Sequence, residues 1–251
     1  MKTIVLMYHG LFEDQRDLEK SISQEDRPYA VLRENFRRQL SLIKQAQANN
    51  PDTQIVLTFD DGHISNFSMA LPDLQAAGLG AWFFITTDFM RAREHFCRPE
   101  HLAAMHEAGM IIGSHGVSHS FLDRDLAEQA LRREFSDSRL ALEAAISSPV
   151  SSISFPGGRY SEDSVKLARD CGYRHLFGSR VGVNKALEDK GREPIRRVAI
   201  RKSTSDTEFQ KIISADMAYY STIAAKQSLK SGLRKLLGNR LYHGLYKSVA
   251  G

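Results

Sequence analysis

Short apolar runs alternate with stretches of helical periodicity along most of the chain, and this alternation restricts the fold more than any other feature. The runs cover 3–8, 54–59, 81–86, 110–113, 151–155, 174–177 and 195–200. They are rich in Ile, Val and Phe without clean polar–apolar alternation, which suits strands buried on both faces. Between them, Leu32, Phe36, Leu40 and Ile43 recur at helical spacing and mark one apolar stripe. Pro99 at a first helical position, with Gly109 as the stop, marks a second helix. Residues 125–146 read as a longer one. Ser161 with Glu162 and Asp163 caps another, which ends at Cys171 and Gly172, and Ser205 with Glu208 has capping-box spacing. Such a rhythm predicts a parallel sheet covered by helices, either an open doubly wound sheet or a distorted (β/α) barrel. Either arrangement gathers functional residues at the C-terminal ends of strands.

Composition removes several alternatives. The chain has 251 residues, 42% of them hydrophobic and 25% charged, which is the balance of a globular domain and not of a disordered chain. No apolar run approaches the roughly 18–20 residues that span a bilayer. The opening MKTIVLMYHG passes from a short apolar run straight into Tyr8, His9 and Gly10. That reads as a strand and not as a signal peptide, so a cytoplasmic location is expected. Cys97 and Cys171 lack C-x-x-C spacing and are expected to be reduced thiols. The formal charge of +4 is uneven: 226–247 carries six basic residues and no acid. Without those six, 28 Lys and Arg face 30 Asp and Glu, so the body is near neutral and no nucleic-acid partner is expected. Residues 1–217 are read as one catalytic domain and 218–251 as a basic, helical C-terminal tail. Leu229, Leu233, Leu237, Leu241 and Leu245 form a row in that tail beside Lys226, Lys230 and Arg234. The row fits packing against the body, or peripheral membrane contact through 226–247 at the inner surface.

Three segments carry chemistry at predicted strand ends. Leu57-Thr58-Phe59-Asp60-Asp61-Gly62 is an apolar strand ending in two adjacent carboxylates and a glycine. Neighbouring side chains on a strand point to opposite faces, so both acids reach one site only where the backbone turns, and Gly62 permits the turn. Ile111-Ile112-Gly113-Ser114-His115 ends another strand, and His119 follows four residues later, at the spacing of one helical turn. Imidazoles are preferred ligands of zinc and other divalent transition metals. Two His and one Asp leave coordination positions open, as in a catalytic metal site, and the second Asp is then free to act as a base. The third segment, Ser154-Phe155-Pro156-Gly157-Gly158-Arg159-Tyr160, lets backbone N–H groups approach a ligand closely, although an ordinary βα turn reads the same way.

In this order the segments resemble those of the polysaccharide deacetylase family, with its NodB homology domain, over about residues 5–200. Thr58-Phe59-Asp60-Asp61-Gly62 matches the first family motif without substitution. His115 and His119 match the second in spacing, with Gly116 where Ser or Thr is usual. The resemblance implies a distorted (β/α) barrel with Asp60 as catalytic base and Asp61, His115 and His119 as ligands of one divalent metal ion, zinc first among several that fit. It further implies an oxyanion contact at the Gly157 N–H, with Pro156 and Tyr160 beside it on the substrate side. The implied reaction is metal-dependent hydrolysis of acetyl groups, N-acetyl before O-acetyl, on a sugar, oligosaccharide or glycolipid. Tyr8-His9-Gly10, the Phe-Pro-Gly-Gly stretch and an Arg-rich final strand resemble the branch that serves exopolysaccharide and envelope-glycan biosynthesis. In that branch the early histidine lies near the site, which nominates His9 as acid or substrate contact. Ser154 stands where the family has an Arg that holds the base, and Arg197-Val198-Ala199-Ile200 lacks the usual late His. These departures raise a second reading: a carbohydrate-binding pseudoenzyme that keeps the metal site.

Overall fold

The computed structural model describes residues 1–229 apart from 23–25, 124, 186 and 188–192. In chain order the strands are β1 (Lys2–Tyr8), β2 (Leu11–Phe12), β3 (Val31–Leu32), β4 (Thr53–Phe59), β5 (Ala81–Ile85), β6 (Ile111–Ser114), β7 (Ser152–Ser154), β8 (His175–Phe177) and β9 (Val198–Ala199). The helices are α1 (Gln15–Ser21), α2 (Arg33–Asn49), α3 (Leu71–Ala77), α4 (Thr87–Ala92), α5 (Pro99–Glu107), α6 (Glu128–Ile146), α7 (Glu162–Asp170) and α8 (Asp206–Ile213), and 217–229 is also helical.

Seven strands form one sheet in the order β8-β7-β6-β5-β4-β1-β9, with every neighbouring pair parallel. The sheet curls until its edges meet: Phe177 at the end of β8 bridges Ile195, just ahead of β9. The expected distorted (β/α) barrel is therefore the observed fold, and all seven predicted strands lie in its wall.

Strand alternation divides the apolar residues into two layers. Val5, Val56, Phe84, Phe177 and Ile195 pack together inside the barrel. Their neighbours Ile4, Leu6, Tyr8, Leu57, Phe59 and Phe83 join the larger core beneath the helices, where the rings of Tyr8, Phe59 and Phe83 stack in series. Burial on both faces explains why the sequence shows continuous apolar runs. The stripe on α2 behaves as its spacing predicts: Phe36, Leu40 and Ile43 are buried, and Gln39 beside them accepts a hydrogen bond from Tyr8 Oη at 2.9 Å.

Helix starts follow their caps. Ser161 and Ser205 each accept a backbone N–H of the first turn of α7 and α8, with reciprocal bonds that complete a capping box. The long helix begins three residues later than the sequence suggests, because Asp123 and Asp125 instead hold Arg159 at 2.6 and 3.2 Å. Cys97 and Cys171 are free, as expected. No described helix is long and apolar enough to cross a membrane. The tail begins by packing on the barrel: Tyr220 is buried, and Gln227 donates to Ser179 O and accepts from Val181 N–H. Beyond residue 229 the leucine row lies outside the described residues.

Candidate active site

Strand β4 delivers Asp60 to the barrel mouth on its inner face, and the backbone then turns sharply. Asp61 has φ 74° and Gly62 φ 83°, two consecutive residues in the left-handed region. A side chain on residue 62 would also press on Ile85. This turn is how adjacent carboxylates come to face one pocket, as the Asp-Asp-Gly sequence predicts. The histidine pair reaches the pocket by a different route from the expected helical turn. Residues 115–121 form a loop, with φ 79° at Gly116 and φ 65° at His119. The loop is held instead by Glu134 of α6, whose carboxylate accepts the N–H groups of Val117 and Ser118 at 2.6 and 3.1 Å. Small residues and a left-handed glycine favour that loop over a helix.

Asp61, His115 and His119 each offer one ligand atom, and these atoms lie within 4.8 Å of one another. Asp61 Oδ1 is 3.3 Å from His115 Nε2 and 3.1 Å from His119 Nε2. It is nevertheless buried without an aligned hydrogen bond. His115 Nδ1 donates to Ser154 O at 2.8 Å, so its Nε2 is left as a lone pair facing the carboxylate. An orphaned carboxylate oxygen with imidazole nitrogens converging on it is a donor set that fits a divalent cation. Burial pushes the Asp61 carboxyl up, but the two histidines outweigh it and hold it well below the usual carboxylate range.

Asp60 is buried and does not join that trio. Its partner is Arg197, fully buried just before β9, which pairs bidentately with Oδ1 at 2.7 Å and Oδ2 at 2.8 Å. Ser154 Oγ donates to Oδ2 at 3.1 Å. The guanidinium also donates to Thr58 Oγ1 and Gly178 O, which fixes its plane. Burial pushes the Asp60 carboxyl up, and the Arg197 charge more than reverses this, keeping it below its ordinary value and ionised. The sequence reading missed Arg197. It found Ser154 where an arginine was expected, while the arginine that grips Asp60 comes from the far end of the chain. The available signal was a lone pair of arginines inside the otherwise apolar run 195–200.

A cleft of about 470 Å³ opens over these groups and contains His9, Asp60, Asp61, His115, His119 and Gly157 in its lining. His9 packs against Tyr29, and its Nδ1 is buried without a partner among the described residues. Burial pushes its imidazole pKa down, only partly offset by Asp61 and Asp60. Gly157 has φ 60°, and the Phe121 ring occupies the space a side chain there would need. Pro156 is buried and Tyr160 packs at a tilt against Phe155; neither lines the cleft, so of the three expected substrate contacts only Gly157 is found in its lining. The cleft's other wall includes Tyr219, Ile223 and Lys226 of the C-terminal helix, a contribution that nothing in the motifs suggests.

Comparisons with known proteins bear on the fold and the family. The family model described as polysaccharide deacetylase matches residues 47–176. The Bacillus subtilis (strain 168) protein YxkH, whose name places it among polysaccharide deacetylases, is 26% identical over 221 residues, 85% of this chain and 77% of its own. Among solved structures, the Streptococcus pyogenes deacetylase PplD in complex with acetate superposes with a TM-score of 0.72 at 20% identity, covering 85% of this chain and 98% of that one. IcaB from Ammonifex degensii gives 0.69 at 18% identity, with 85% and 97% covered. These structures share the fold, and the family model spans more than half of the sequence: the chain belongs to the polysaccharide deacetylase family.

Proposed function

We propose that the chain is a metal-dependent hydrolase that removes acetyl groups, N-acetyl in the first instance, from an amino sugar in a glycan or glycolipid of polysaccharide or envelope biosynthesis. The observation that carries this reading is the division of labour between adjacent carboxylates. Asp61 converges with His115 and His119, while Asp60 is withheld from them by Arg197. One acid is left to bind a cation and the other to move a proton.

Asp61, His115 and His119 would hold a divalent cation, which would supply Lewis-acid activation of water and of the acyl carbonyl. Asp60, kept ionised, is the group that accepts the water proton. Arg197 and Ser154 hold the Asp60 carboxylate in place while it does so. His9 lines the same cleft, and we assign it the contact with the departing amine. Gly157 lines the cleft beside these groups, and we assign the side formed by Tyr219 and Ile223 to the rest of the sugar. Zinc suits the ligand set, as do other divalent transition metals.

The pairing of Asp60 with Arg197 favours an active enzyme over a binding-only chain, since it restores the contact that Ser154 alone lacks. Acetate release from N-acetylated and O-acetylated sugar panels tests the reading. Zinc-loaded protein should release acetate, chelator should abolish release, and added zinc should restore it. Turnover that persists through exhaustive chelation would overturn the reading, as would no release from any member of either panel.

A further inference from the structure

The loop that carries His119 departs from the family pattern at residue 116, where Gly stands in place of the usual Ser or Thr. The structure shows what occupies the space of the missing side chain. A Cβ on Gly116 would lie 2.8 Å from Glu134 Oε2, closer than a Cβ is found to approach another atom.

Glu134 is not free to step aside. Its Oε2 accepts the Val117 and Ser118 N–H groups at 2.6 and 3.1 Å, and its Oε1 accepts the Ser118 hydroxyl at 2.6 Å. It shares a face of α6 with buried Leu131 and Ser138. Ser138 Oγ lies 2.7 Å from Ser114 Oγ, which accepts the Gly116 N–H at 3.0 Å. The start of α4 adds N–H donors from Thr87 and Asp88 to Gly116 O and Val117 O, at 3.2 and 2.9 Å. From Gly116 N–H to Ser118 N–H every successive backbone group is thereby paired. Glu134 supplies the charged partner, and hydrogen bonds to a carboxylate are about twice as strong as neutral ones.

We propose that Glu134 is a positioning residue of the metal centre. By fixing Val117 and Ser118, which lie between the two histidines, it sets the place of His119 relative to His115 and Asp61. Gly116 is the residue that makes room for it. The inference rests on the metal-dependent reading given above and concerns how tightly the site holds its cation. A carboxylate on α6 supports the loop from outside, where residue 116 has no side chain to contribute.

The test measures zinc affinity of the full chain by competition with a chromophoric chelator, and the visible spectrum of the cobalt-substituted protein. Wild type is compared with Glu134→Ala, Glu134→Gln, Glu134→Asp, Gly116→Ala and the double variant Glu134→Ala with Gly116→Ala, and melting of the metal-free proteins is followed alongside. Loss of a group that orients metal ligands weakens metal binding by about 10–100-fold, which is the loss expected in Glu134→Ala. Glu134→Gln keeps an acceptor oxygen at the same reach. It should recover most of the affinity and the wild-type cobalt spectrum. Gly116→Ala drives a methyl group into the carboxylate and should weaken zinc binding too. The strain of a side chain at φ 79° is common to both backgrounds and cancels between them. In the double variant the methyl group finds space, so the combined loss should be smaller than the product of the single losses. Where Glu134→Ala does not fold, Glu134→Asp decides, because its shorter side chain cannot reach all three donors and zinc affinity should fall. Unchanged zinc affinity in Glu134→Ala or Glu134→Asp, or single losses that simply multiply in the double variant, would overturn the proposal alone. Absence of zinc and cobalt binding in wild type would overturn the metal-dependent reading and the proposal with it.

Discussion

At the residue scale the defining feature is a carboxylate that survives burial. Asp60 keeps its charge because a fully buried guanidinium meets it with two hydrogen bonds. Removing one member of such a pair leaves the other uncompensated, at a cost of about 3–5 kcal/mol. Arg197→Ala is therefore expected to lower unfolding stability by that amount in a denaturant titration. It should also reduce kcat by about 10²-fold or more as Asp60 loses its fixed geometry. Arg197→Lys keeps the charge but not the fork and should fall between the two. Unchanged stability in Arg197→Ala would show that the pairing is not what sustains the Asp60 charge. The four polar residues of the two motifs were legible in the sequence because they are local: each pair sits within five residues at the end of a strand. Arg197 was not, because its partner is 137 positions away and only the closure of the sheet brings them together.

At the scale of elements, apolar spacing was read well and loop geometry poorly. The stripe on α2 appears as predicted, with Phe36 fully buried against Tyr8 and Phe59. Phe36→Ala should cost about 3–5 kcal/mol by thermal or denaturant unfolding. The histidine spacing was read as a helical turn because i and i+4 share a helix face, but φ values above zero at Gly116 and His119 rule that out. No periodicity encodes such a turn; the anchoring carboxylate comes from Glu134 on another element. Helices α2 and α3 are joined by another ionic contact, where Arg33 donates to Asp73 at 2.8 and 3.1 Å and Arg37 adds a third bond. Burial pushes the Asp73 carboxyl up, and the two guanidiniums more than reverse it, so its folded pKa lies below the unfolded one. The carboxylate thus stabilises the fold at pH values above the ordinary carboxylate range, and that contribution fades as pH falls through the depressed folded pKa. Asp73→Asn should be less stable than wild type at pH 7 by about 1–3 kcal/mol. The gap should narrow as pH falls through the acid range; a gap that widened would contradict the pairing.

At the scale of the whole molecule, a parallel sheet curls until Ile195 meets Phe177, and everything chemical lies at the strand ends around that closure. The fold class was legible because the alternation of strand and helix is written in the order of apolar runs and helically spaced stretches along the chain. The cleft's outline was not, since Tyr219, Ile223 and Lys226 reach it from a helix that follows the last strand. That helix is tied to the loop after β8 by Gln227 and to the core by buried Tyr220. A chain ending at residue 216 should melt earlier, with a loss of about 2–5 kcal/mol from the emptied Tyr220 site and its neighbours. An unchanged melting temperature would remove this helix from the folded body. The account as a whole turns on one cation held by Asp61, His115 and His119, with Asp60 beside it and not bound to it. Equilibrium dialysis against zinc, followed by metal analysis, tests this directly. The expected result is one ion per chain in wild type and in Asp60→Asn, with retention lost in His115→Ala and Asp61→Ala. Equal retention in all four proteins, or loss of the ion in Asp60→Asn alone, would contradict it.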